Sequence, residues 1–197
     1  MQFKAFEPGI EVNGQTVYTI VAGFKGFTNI ASKMLLDVGV GTAGVDGLVE
    51  IDPAAWYPQE SWLRAFEQIS EDVGAVLYTI GLEIPNNARF PPWVQDVHSA
   101  VKSIDIAYHM NHRKDGQVMF DPESGTMLEG IGHYGCAPVE GRDRIVSVCE
   151  NPYPCDFDLG ILTTMAMKFQ PGARVLHDDR QPCRKDGADS CTYIVEW

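Results

Sequence analysis

The chain has 197 residues, of which 45% are hydrophobic and 10% aromatic, with a formal net charge of -12 and an isoelectric point near 4.7. That length and apolar content fit one domain with a sizeable core and exclude general disorder. The acidic balance excludes a nucleic-acid backbone and an anionic membrane surface as partners.

No run approaches the ~20 apolar residues of a membrane span, and the opening MQFKAFEPG lacks the basic-then-apolar pattern of a secretion signal. A cytoplasmic location is the expectation. Five cysteines are an odd number for a disulfide framework, and Cys136 and Cys149 read as small buried hydrophobes rather than a bridge.

In chain order, Asn13-Gly14 between the apolar runs Ile10 to Val12 and Gln15 to Ala22 predicts a hairpin. Asn29 is placed to cap a short helix to Val38, with Ile30, Met34 and Val38 on one face. Residues 39–47, GVGTAGVDG, predict a flexible loop; they lack a P-loop lysine and clean GxGxxG spacing. From Gln59, the spacing of Trp62, Ala65, Phe66 and Ile69 predicts a helix that bends at Gly74 and continues through Val76, Leu77 and Ile80 to Gly81. Pro91-Pro92 opens a further helix, with Val94, Val97, Val101 and Ile104 as its apolar stripe.

The next segment carries His109, His112 and His133, with strands expected over Gln117 to Phe120 and Met127 to Tyr134. Imidazole is the commonest ligand for transition metals, so an open iron or copper centre is one reading of this trio. It requires the preceding helix to persist to Arg113, where the i, i+3 spacing puts His109 and His112 on one side. The other reading makes these histidines line a ligand pocket, with Tyr108, Tyr134 and Arg113 orienting what binds. Arg144 to Glu150 follows as a central strand, apolar on both faces.

Chemistry concentrates in Asn151 to Trp197. Pro152 and Pro154 forbid an upstream helix, while Asp156 and Asp158 suit a first turn, so a helix begins at Cys155 and runs to about Phe169. Ala173 to His177 reads as a strand, Asp178 to Ala188 as a turn, and Ser190 to Trp197 as a strand with Cys191, Tyr193, Val195 and Trp197 on one face. A helix N-terminus and a hairpin then bring Cys155, Cys183, Cys191 and His177 towards one place. Three readings stand for these sulfurs: a zinc site, a Cys183–Cys191 disulfide, or reduced packing cysteines. His177 either completes a metal site or donates to Asp178 or Asp179.

A cysteine opening a helix, then a strand, then C-x7-C enclosing a glycine and closing on an aromatic strand, resembles the C-terminal part of 4-vinyl reductase-like domains. Cys155, Gly160, Cys183, Gly187, Cys191 and Tyr193 carry the likeness. Those domains belong to a wider group of ligand-binding domains that includes haem nitric-oxide sensors and Golgi transport subunits. The resemblance covers the last third of the chain, and the middle by order of elements. It implies metal binding through the matching cysteines.

The expected fold is α+β: one antiparallel sheet with a layer of helices on one side. Residues 1–58 form an N-terminal extension with a hairpin and short helix, and 59–197 the core. The expected function is a small-molecule sensing module that takes a small hydrophobic ligand, is steadied by zinc, and signals through a partner protein or a homodimer. The alternative is a metal-dependent enzyme built on the three histidines. No G-x-S-x-G, nucleotide or flavin motif is present.

Overall fold

Two antiparallel sheets organise the chain, and the computed structural model describes them through residues 2–22 and 28–197. The first half runs β1 (Ile10–Asn13), α1 (Gly14–Ala22), α2 (Thr28–Asp37), β2 (Thr42–Ala43), β3 (Val49–Glu50), β4 (Trp56–Pro58), α3 (Gln59–Val73) and α4 (Val76–Asn86). The second half runs α5 (Val97–Met110), β5 (His112–Lys114), β6 (Gln117–Val118), β7 (His133–Tyr134), β8 (Ala137–Pro138), β9 (Arg144–Glu150), α6 (Cys155–Phe169), β10 (Arg174–His177), a 3-10 turn (Arg184–Asp186) and β11 (Cys191–Glu196). The class is α+β, as the sequence predicts.

The smaller sheet has the order β4-β1-β5-β6. Asn13-Gly14 therefore does not turn a hairpin. The chain passes from β1 straight into α1, because Val17 and Ile20 are buried at helical spacing and Gly14 donates its N–H to the Ala55 carbonyl at 2.8 Å. A Cβ at Gly14 would lie 2.3 Å from the Asp52 carbonyl oxygen, so glycine serves close approach here rather than turn geometry. In α2 the buried face is Ala31, Met34 and Leu35, displaced from the expected one, and Ile30 is exposed. The glycine-rich loop holds a short hairpin of β2 and β3.

α3 begins at Gln59 as expected and buries Trp62, Leu63, Phe66 and Ile69. α4 is a separate helix that extends past Gly81. α5 starts not at the proline pair but at Val97, where Asp96 and Ser99 form a reciprocal capping box. It ends at Met110, short of Arg113.

The larger sheet has the order β10-β11-β9-β7, with β8 also on β9. β9 is central in pairing but covered on one face only: Ile145, Ser147 and Cys149 are buried, whereas Val148 is 43% exposed. α5 and α6 pack on the covered face. α6 also crosses α4 with the backbones almost touching: a Cβ at Gly160 would lie 2.3 Å from the Tyr78 carbonyl, and one at Gly81 2.2 Å from the Phe157 carbonyl. Two glycines therefore set how closely the helical layer closes over the sheet. No described helix is long and apolar enough to cross a membrane.

Candidate metal centre

α6 begins at Cys155 because Pro154 is its extended N-cap residue (φ -67°, ψ 146°), and this places the Cys155 sulfur at a helix N-terminus. β11 pairs in register with β9, Cys191 opposite Cys149, so Cys191 faces the core. The intervening turn brings Cys183 in just before the 3-10 turn, which Gly187 closes at φ 88°, a conformation glycine adopts without strain. His177 ends β10 beside Tyr193.

These four residues meet. Cys155 Sγ is 3.1 Å from Cys191 Sγ and 3.6 Å from Cys183 Sγ, and Cys183 and Cys191 stand 3.7 Å apart. One donor atom from each, His177 included, lies within 4.8 Å of every other. The five cysteines are unbonded in this structure, Cys183 and Cys191 included. His177 Nδ1 is 2.7 Å from Asp179 Oδ1, as the turn sequence allows, and its buried Nε2 has no hydrogen-bond partner. A carboxylate that fixes one imidazole nitrogen while the other is left free is the usual outer-shell arrangement of a metal-ligating histidine.

One sulfur of the cluster is favoured as a thiolate. The Cys155 thiol against Cys191, with the Arg184 backbone N–H and guanidinium, pushes the Cys191 thiol down to about 3 against the opposing effect of burial. The same sulfur contact and burial push Cys155 up. Arg184 is itself fully buried and paired with Asp158, also fully buried. Arg184 Nη1 donates to the Asn151 carbonyl at 2.5 Å, Asn151 Nδ2 donates to Asp158 at 3.1 Å, and the Tyr134 hydroxyl donates to Asp158 at 2.6 Å. Sequence reading assigns Asp158 to helix-end electrostatics and misses this network. Its signal is positional: 155, 158 and 162 share a helix face with two apolar neighbours, so a charge there needs a buried partner.

The structure divides the histidine trio and its companions. His109 and His133 come together, ring centroids 4.9 Å apart, next to Asp105 rather than His112. His112 leaves the helix axis as β5 begins, and both its nitrogens are used, Nδ1 at 2.7 Å from the Tyr108 carbonyl and Nε2 at 2.8 Å from the Tyr153 hydroxyl. Burial lowers its pKa to about 4, so it is a neutral core imidazole. The Tyr108 hydroxyl donates to the Ile131 carbonyl at 2.7 Å, and Tyr134 serves Asp158. Arg113 lies in the smaller sheet, paired with Glu11 at 2.6 Å and stacked on Trp56. These six residues do not line one pocket.

Two open clefts flank the fold. One, about 500 Å³, lies between α2 and α3 and is lined by Ile30, Met34, Lys33, Gln68, Glu71 and Asp72. The other, about 350 Å³, opens on the cysteine cluster and adds Asp156, Leu159, Asp179, Gln181, Lys185 and Tyr193 to its wall. The wall of the second is the more polar.

The sequence matches no family profile and no curated protein at a significant level. Solved structures do match. An H-NOX protein from S. oneidensis in the Fe(II)NO state is 16% identical over 93% of this chain and 98% of its own, with a TM-score of 0.61. An Fe(II) unliganded H-NOX protein from K. algicida is 11% identical over 93% and 95%, with a TM-score of 0.59. A structure from work on haem distortion in the H-NOX family is 16% identical over 94% of each chain, with a TM-score of 0.61. At these identities the likeness is one of fold, and it extends through nearly the whole chain: this protein has the architecture of H-NOX domains, including the N-terminal region that the sequence resemblance does not reach.

Proposed function

We propose that the chain is a small-molecule sensing module built around a zinc ion held by Cys155, Cys183, Cys191 and His177. The observation that carries this reading is the convergence of three sulfurs and one imidazole whose buried Nε2 is unpartnered. Soft thiolates with one imidazole in a four-donor set suit zinc, and a complete set of protein ligands is structural rather than catalytic. The ion would tie the start of α6, the end of β10 and the start of β11 into one unit. The cleft against it is where a ligand would register. Its charged wall favours a small polar molecule over the hydrophobic one expected from sequence. Output would pass through a partner protein or a second copy of the chain.

The fold neighbours raise the question of haem. The residues present do not fit one: between the helices and the sheet, Trp62, Phe66, Tyr153, Phe157 and Tyr108 interlock ring to ring. Both His112 nitrogens are engaged within that cluster. The enzyme reading built on three histidines loses support for the same reason, since His112 is committed to the core.

The test is backbone-amide NMR of the zinc-loaded chain against a fragment set of small polar molecules. Shifts clustered on Leu159, Gln181 and Tyr193, lost in Cys155→Ser, support the reading. No responding fragment, or shifts confined to the groove between α2 and α3, would sink it.

A further inference from the structure

Among the described residues a second set of donors lies apart from the cysteines, on α5 and the start of β7. Asp105, His109 and His133 each bring one donor atom within 4.8 Å of the others. Asp105 Oδ2 is 3.1 Å from His133 Nδ1. Glu129 stands at the rim, Oε2 3.0 Å from His133 Nε2.

His109 is the residue that needs explaining. It is fully buried and Nδ1 is 2.9 Å from the Asp105 backbone carbonyl, which fixes that nitrogen as the protonated one. Nε2 then carries a lone pair, is shielded from water, and has no hydrogen-bond partner. A buried acceptor left unmade costs about 1–3 kcal/mol, so a core that needed only bulk here would be served better by an apolar side chain. The tautomer is the one seen when the second-shell bond falls on Nδ1 and a metal on Nε2.

The neighbours supply the rest. The His109 and His133 rings lie 4.9 Å apart at 29°. His133 is flanked by two carboxylates, Asp105 at Nδ1 and Glu129 at Nε2. A site with two imidazoles and one or two carboxylates therefore attracts a cation, either a proton or a metal ion. We infer that Asp105, His109 and His133, with Glu129 at the rim, form a second metal site that takes a first-row divalent ion, the ion displacing the proton by which His133 is held between its two carboxylates. Two histidines and one carboxylate with open positions suit Fe(II), Co(II) or Zn(II) and leave room for a small exogenous ligand. The inference stands on α5 and β7 alone and does not depend on zinc at the cysteines.

The test is equilibrium dialysis of the full chain, freed of metal, against Co(II), with optical spectra to separate sulfur-bound from nitrogen- and oxygen-bound cobalt. The expected result is a cobalt lacking the thiolate charge-transfer band. His133→Ala, which removes a partly exposed ring, should weaken its binding at least ~10-fold, and His109→Gln should do the same. Glu129→Gln should weaken it less. Wild-type chain with no cobalt outside the thiolate class overturns the inference. So does a nitrogen- and oxygen-bound cobalt that survives His133→Ala. Should His109→Gln fail to fold, the His133→Ala arm decides alone.

Discussion

Arg184→Met is the substitution that probes most sharply how the core supports the cysteine cluster. Arg184 and Asp158 are both fully buried and paired, with Asn151 and Tyr134 completing the network. Removing the guanidinium leaves Asp158 charged in a low-dielectric interior with two neutral donors. Breaking a buried pair from one side costs about 3–5 kcal/mol. For a chain of this size that corresponds to a melting temperature lower by ~6–20 °C, at ~2–4 °C per kcal/mol. Asp158→Asn should cost a similar amount, since it strands Arg184. The double variant should be less damaged than the sum, with a coupling of ~2–3 kcal/mol.

Urea unfolding in the presence of a chelator reads these values without metal linkage. Burial holds the Asp158 carboxyl above the ordinary 3.8, although Arg184 opposes the rise. Without Arg184 the folded pKa rises further, and the native state then binds more protons than the unfolded one above pH 3.8. Stability of Arg184→Met must therefore fall as pH rises through that window, and its deficit against wild type must shrink towards acid. A single-variant cost below ~1 kcal/mol, or strict additivity in the double, would refute the buried-pair argument.

Other consequences are read more simply. His112 has its pKa depressed from 6.5 to about 4 by burial, so it supports folding above pH 6.5, and that support drains away down to about pH 4. The loss is ~3 kcal/mol at 1.36 kcal/mol per pKa unit, and His112→Gln should flatten that part of the stability–pH curve; an unchanged slope would contradict it. Gly160→Ala puts a Cβ 2.3 Å from the Tyr78 carbonyl and 2.8 Å from the Leu82 nitrogen, both backbone atoms that cannot swing aside. The α4–α6 crossing must open, at a cost of about 1–3 kcal/mol or more, measured as a lower urea midpoint; a neutral result would mean the helices are not held this close. Haemin added to the purified chain should give no 1:1 histidine-ligated spectrum; a stoichiometric complex abolished by His109→Ala would show that the aromatic core does admit the group.

The C-terminal third was the most legible part. Pro152 and Pro154 followed by Cys155 and two aspartates fix the start of α6, and alternation fixes β9 and β11, so the convergence of Cys155, Cys183, Cys191 and His177 follows from local pattern. The N-terminal region was not legible in the same way. Asn13-Gly14 carries a strong hairpin cue, but the competing signal, burial of Val17 and Ile20 at helical spacing, wins once β4 and β5 flank β1. Long-range pairing of that kind leaves no local trace.

The histidines show the same limit. Spacing put His109 with His112, yet helix α5 ends at Met110 and the partner ring arrives from His133, with Asp105 one turn back. The buried Asp158–Arg184 pair joins positions 26 residues apart, and only the polar residue on an otherwise apolar helix face hinted at it. The proline pair at Pro91-Pro92 misled because the Asp96–Ser99 box is the stronger start signal.

The most direct test of the central claim is zinc content with X-ray absorption at the zinc edge, on protein purified without a metal-affinity tag. The account predicts one tightly held zinc per chain with three sulfur neighbours near 2.3 Å and one nitrogen near 2.0–2.1 Å, and loss of that signal in Cys155→Ser. Zinc absent while all three thiols titrate freely, or zinc bound only by nitrogen and oxygen, would contradict it.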